Sequence, residues 1–281
     1  MTIKLAHPLP PRKIQPRLWR QLALASATVS LAAMPALGDA RPRALETARQ
    51  MGATLWLADG GEAGEAGVAA TGDETVDLLN GLMQIEGHLA SGLALWASGD
   101  HDNGQAHMGH PHAEVYDGLA PTLQQMGVPP FISALHALLD AAASGADQAS
   151  LDALYAEIRA QISVIRQTAV THDPRDDFTA IVAVIAKAGV EWSNAVSDGQ
   201  IHDLHEYQDA WGFVQAVEAR LSDLAQSPDA AIQSAAQLAL AALAELAPAL
   251  PGVTPGATIQ GDPSLFAAAA AKIELAAFKV K

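Results

Sequence analysis

Cysteine does not occur in the 281 residues of this chain. Its absence excludes disulfides, thiolate metal sites, cysteine nucleophiles and c-type haem attachment. Stability has to come from apolar burial. Aromatic residues are scarce, at 5%, which argues against a ring-walled carbohydrate cleft. Alternating β-branched runs are missing, so nothing announces a sheet. A serine-nucleophile motif, a glycine-rich phosphate loop and a His-Glu-x-x-His helix are missing too, and no hydrolase is indicated. The apolar run Leu22–Met34, which carries no charge, is short for a membrane span.

That run has a context. Lys4, Arg12, Lys13, Arg17 and Arg20 precede it, and Ala36-Leu37-Gly38 follows it. A basic lead, an apolar core and a small-x-small ending make a secretory signal peptide, with cleavage expected after Gly38 or Ala40. An uncleaved anchor is the alternative. The expected location is the bacterial periplasm, with the processed chain not embedded in the membrane. Residues 1–38 carry five basic and no acidic residues, so the remainder holds 11 basic against 31 acidic, a net charge of −20. Such a surface repels nucleic acid and anionic headgroups, and it attracts cations or a basic partner.

Alanine abundance and apolar spacing at the helical period predict an all-α protein. The expected architecture is an antiparallel helical bundle of roughly eight or nine helices. After the signal peptide (1–38), residues 39–72 read as an N-terminal extension and loop, 73–247 as the bundle, and 248–281 as a Pro/Gly-rich linker with a C-terminal helix. The strongest helix is expected over Asp73–Ser98, with the apolar stripe Leu78, Leu82, Ile85, Leu89, Leu93 and Trp96. Pro111 is expected in the first turn of a new helix, because its ring breaks a helix interior. Asp198-Gly199 reads as a turn, and Asp203 as the cap of the helix after it. Trp96 with Gly99-Asp100 and Glu114-Val-Tyr116-Asp117 is echoed by Trp192, Asp198-Gly199 and Glu206-Tyr207-Gln-Asp209. The echo raises the question of two related helical halves.

Histidine is concentrated where cysteine is absent. Five of the ten histidines (His88, His101, His107, His110 and His112) fall within 25 residues, among carboxylates and one methionine. Imidazole and carboxylate are common ligands of iron, copper and zinc. Read as one helical path, His107, His110 and Glu114 fall within an arc of about 60°. His88 lies at the edge of the preceding stripe, where Gly81 and Gly92 leave room for another backbone. The leading metal set is therefore His88, His107, His110 and Glu114. Glu86, His101, Met108 and His112 are secondary, Met108 being a ligand only if the ion is copper. His136 reads as a core histidine. His202 and His205 flank a helix start.

The segment Glu191-Trp-Ser-Asn-Ala-Val-Ser-Asp198-Gly-Gln-Ile-His-Asp-Leu-His-Glu206-Tyr207-Gln-Asp209-Ala-Trp-Gly-Phe213 resembles periplasmic helical domains associated with the ferrous-iron permease family. Glu86-Gly-His88 faintly resembles the Gly-x-His-x-x-Glu motif of imelysin-like iron-binding proteins, with glutamate and histidine in the opposite order. The first resemblance implies periplasmic metal handling beside an inner-membrane metal permease. It adds Asp198, Glu206 and Asp209 to the secondary candidates, with His202 and His205 beside them. The expected function is capture or delivery of a transition metal, iron or copper ahead of zinc. Two alternatives stay open: a metalloenzyme such as a ferroxidase with a redox path through Tyr116 or Trp96, and a metal-free acidic module docking an envelope partner. Haem held through one histidine is a further alternative.

Overall fold

The computed structural model describes residues 71–168, 173–256 and 258–280. The signal peptide and nearly all of the N-terminal extension lie outside the described residues.

Aspartates start most of the helices. The Asp73 carboxylate accepts the N–H groups of Thr75 and Val76 and opens α1, Glu74–Ser98. Asp100 opens α2, His101–His110. A π-helical segment, Pro111–Tyr116, and α3, Asp117–Gln125, continue the same path. Next come α4, Ile132–Ala143, and α5, Gln148–Thr168. Asp173 forms a capping box with Asp176 at the start of α6, Pro174–Ala195. Asp203 caps α7, Leu204–Leu224, and Asp229 caps α8, Ala230–Leu243. The last helix is α9, Ser264–Ala277. The described residues thus hold nine α-helices, or eight if the unbroken path from His101 to Gln125 is counted once. The chain is all-α, as its composition predicts.

Two local features differ from the sequence reading. Pro111 does not start a separate helix. The path runs through it and loosens to i→i+5 bonding over Pro111–Tyr116, which accommodates a ring that an α-turn would reject. The two turns that echo each other in sequence are also built differently. Gly99 ends α1 in the left-handed region, with φ of 90°. Asp198 and Gly199, at φ of 51° and 71°, instead join the two-residue strands β1, Val196–Ser197, and β2, Gln200–Ile201. Two successive positive φ values are what a type I′ hairpin turn requires.

Helix α1 is the axis of the structure. One of its faces carries Leu78, Leu82, Ile85, Leu89, Leu93 and Trp96 into a core shared with α2 to α5. Another carries Val76, Leu79 and Met83 into a second core, built with α6 to α9. A helix apolar on several sides belongs inside a protein. Helices α6, α7, α8 and α9 close a ring in which each packs on the next and α9 returns to α6. The Pro/Gly-rich stretch before α9 is tied to this ring: Trp192 Nε1 donates to the Ala249 carbonyl at 3.0 Å, and the Tyr207 hydroxyl to that of Gly252 at 2.9 Å.

Candidate metal centre

The site forms where α1 meets α2 on one side and α7 on the other. Both crossings depend on glycine. A Cβ on Gly212 of α7 would stand 2.3 Å from the Gly87 carbonyl oxygen and from Ser91 Oγ of α1. A Cβ on Gly92 would meet the Gly104 carbonyl oxygen of α2 at 2.9 Å and Met108 Cγ at 2.8 Å. Ser91 Oγ fastens the first crossing by donating to the Gln208 carbonyl at 2.6 Å. These contacts set His88, His107 and Asp209 side by side.

Asp209 is the hub. Its Oδ1 lies 2.7 Å from His88 Nδ1 and 2.9 Å from His107 Nδ1, and its Oδ2 lies 3.7 Å from His110 Nδ1. One ligand atom from each of His88, His107, His110 and Asp209 can be chosen so that all lie within 4.8 Å of one another. His88, His107 and Asp209 are buried, and His110 is partly so. Glu114 flanks the group, 3.5 Å from His88 Nε2 and 3.6 Å from His110 Nδ1. His205 completes the imidazole cluster on its exposed side, with ring centroids 5.1 Å from His107 and 6.0 Å from His110.

The outer contacts orient the inner ones. Gln208 Oε1 lies 2.9 Å from His107 Nε2. With the Gln208 amide turned so that its Nε2 donates to His107 Nε2, the ring's Nδ1–H donates to Asp209 Oδ1 at 2.9 Å. Glu114 stands to His88 Nε2 as a carboxylate commonly stands behind a metal-bound imidazole. Burial alone would raise the Asp209 carboxyl. The charge of His88 and the hydrogen bonds of His107, His110 and His88 outweigh it and hold the group well below the carboxylate range. Burial and the charges of His107 and His110 push His205 down.

A polar cleft leads to the hub, lined by Gln84, His88, Glu114, Lys187, Glu191, Glu206, Asp209 and Phe213. Lys187 pairs with Glu191 there. Burial works against the ammonium, but the charge of Glu191 and its hydrogen bond, with Glu206 and Asp209 adding, keep Lys187 protonated beyond its ordinary range.

Several residues named from sequence go elsewhere. Glu86 is buried and faces α5, where Arg166 Nη2 and Nη1 donate to its carboxylate at 2.7 and 3.3 Å. His101 is exposed and stacks on Trp96 with centroids 4.1 Å apart. Met108 is buried in the core of α1 to α5. His112 faces α4, and His136 is exposed and meets it there instead of filling a core. Asp198 and His202 are exposed at the hairpin and helix start. Glu206 lines the cleft. The structure thus joins three of the four leading residues, His88, His107 and His110, with Asp209 as the shared carboxylate and Glu114 beside them. Sequence reasoning missed Gln208, Gly87 and Gly212. Of these, only Gly87 and Gly212 carried a signal, that of glycines inside helices, which permit a close crossing.

The four-helix ring of α6 to α9 is the part of the chain with a recognisable likeness. Residues 167–280 match the family model of the iron permease-associated 4-helix bundle domain. The matched segment contains the ring, the hairpin and the cleft residues Lys187, Glu191, Glu206 and Asp209, whereas the three inner histidines precede it. The centre is therefore a composite of the matched segment and the helices before it. No curated protein and no solved structure matches the chain. Among the described residues, no helix is long and apolar enough to cross a membrane.

Proposed function

We propose that the protein captures ferrous iron in the periplasm and hands it to an iron permease. The observation that carries this reading is the convergence of three imidazoles and the Asp209 carboxylate on the face of an iron permease-associated bundle. Nitrogen and carboxylate donors without thiolate suit ferrous iron, and Met108 sits too deep in a neighbouring core to add the soft donor that favours copper(I). The exposed His205 and the carboxylate-lined cleft supply a route by which a cation reaches the buried atoms. Reversible release follows from the ligands: protonating an imidazole removes its lone pair from the metal.

The test is a metal-titrated melting curve under anaerobic conditions, with elemental analysis of the purified chain. An ion that binds only the native state raises the melting temperature, and at a hundredfold excess over Kd it adds about 2.7 kcal/mol. The expected result is stabilisation by ferrous iron that is abolished in Asp209→Asn and in His107→Ala/His110→Ala. An equal response in the variants and the wild type would refute the reading.

A further inference from the structure

A second group of metal-binding side chains lies outside the buried centre. His112, on the π-helical segment, and His136, on α4, present ring nitrogens to each other across the contact between these elements. His136 Nε2 is 3.2 Å from His112 Nδ1, and the ring centroids are 4.8 Å apart at 69°. The other nitrogen of His112, Nε2, lies 3.6 Å from Asp117 Oδ1. The side chains of His112 and Asp117 are 43% and 77% exposed, so the group is open to solvent.

We propose that His112 and His136 form a solvent-facing site for a borderline divalent ion such as zinc. Metal–imidazole bonds are about 2.0–2.1 Å long, so two nitrogens on one tetrahedral ion stand about 3.3 Å apart. The nitrogens already stand at the spacing of a chelated pair, and an ion would replace the ring N–H···N hydrogen bond that joins them, turning both lone pairs toward it. Coordination through His112 Nδ1 leaves Nε2–H facing Asp117 Oδ1, 3.6 Å away, and a small closure of the exposed carboxylate onto it would make the carboxylate–imidazole–metal relay that fixes a ligand ring and raises its basicity. Neither ring has to be recruited from the buried centre: the ring contacts of His110 are with His88, His107 and His205, whereas that of His112 is with His136. The looser π turn at Pro111 lets two histidines only two positions apart serve different neighbours. With two protein ligands, the ion keeps positions for water, so this site is the weaker and faster-exchanging of the two.

Equilibrium dialysis of the full chain against zinc alone tests the assignment, using wild type, His136→Ala, Asp117→Asn and Asp209→Asn. Because His136 and Asp117 are exposed, unchanged melting of those two variants in metal-free buffer is expected. The proposal requires one class of bound zinc to disappear in His136→Ala, to weaken about tenfold in Asp117→Asn, and to persist in Asp209→Asn. Equal zinc binding by His136→Ala and wild type overturns it. Zinc that depends on His136 supports this site whatever ferrous iron does at Asp209, and loss of the ferrous-iron response leaves the His136-dependent zinc untouched, so the two readings fail separately.

Discussion

The two sides of α1 solve the same burial problem with different materials. Toward α2–α5 the helix buries leucine, isoleucine and tryptophan against Val115, Tyr116, Phe131 and the isoleucines of α5. Toward α6–α9 it meets a bundle whose buried surface is rich in alanine, with Phe178, Trp192, Tyr207, Phe213 and Phe266 as its large members. The second side is a closed ring that a family model matches. The first side, which no comparison matches, meets that ring chiefly through α1, with α2 also reaching α7 at His107. Between the two apolar faces runs a polar strip of Gln84, His88 and Ser91, buried with the rest. The lesson is that a polar residue on a buried helix marks a seam. Burying it without partners costs far more than an apolar neighbour gains, so the partners must come from the opposing element.

The sharpest way to separate the two sides is to break the buried pair on the first. Arg166→Ala leaves the buried Glu86 between α1 and α5 with only the half-exposed Arg159, 3.8 Å away, and is expected to destabilise by up to about 3 kcal/mol. Urea unfolding should show it, and a Glu86→Leu/Arg166→Met double variant should recover most of the loss. Next come matched cavities on α1: Leu82→Ala empties the first core and Leu79→Ala the second. Each should cost about 2–5 kcal/mol. Because α1 belongs to both cores, each variant should still unfold in one transition, seen alike by tryptophan fluorescence and circular dichroism. Two separated transitions would show the halves to be independent. Smaller is Gly212→Ala, which forces α7 away from α1 and should cost about 1–3 kcal/mol. Its diagnostic effect is on the seam, where ferrous iron should no longer raise the melting temperature.

Smallest is a change in acid response. Asp209 has its folded-state carboxyl held below the ordinary value of 3.8. Its stabilisation is therefore complete above that value and is lost as pH falls through the lower folded one. In that window the unfolded chain binds more protons, and stability falls with acid. Urea midpoints measured between about pH 2 and 6 should decline less steeply in Asp209→Asn than in wild type. Parallel curves would remove Asp209 from the acid response.

Much of this was legible. The aspartate caps, the α1 stripe and the Asp-Gly turn are local signals, and local physics decides them. The histidine grouping around residue 107 was legible because helical spacing set His107, His110 and Glu114 on one face. The second face of α1 was not, because Asn80, Gln84, His88 and Ser91 make it look solvated. Asp209 entered only through a family resemblance, since no periodicity links it to His88, 121 positions earlier. His136 follows an apolar spacing that suggested a core, yet it lies just past the edge of the buried stripe of α4, Leu135 and Leu138. One helical step of about 100° separates buried from exposed, and a sequence places such an edge only to within a residue or so.

The composite make-up of the centre also orders events in time. His88, His107 and His110 leave the ribosome, or any pore that passes the chain from its N-terminus, about a hundred residues before the carboxylate that unites them. Closing a loop of that length is among the slower steps in forming a fold. A nascent or partly threaded chain therefore offers imidazoles but no complete cage. On the proposed function, tight capture of an ion waits for the docking of α7 onto α1, and a bound metal would report that the two halves have met.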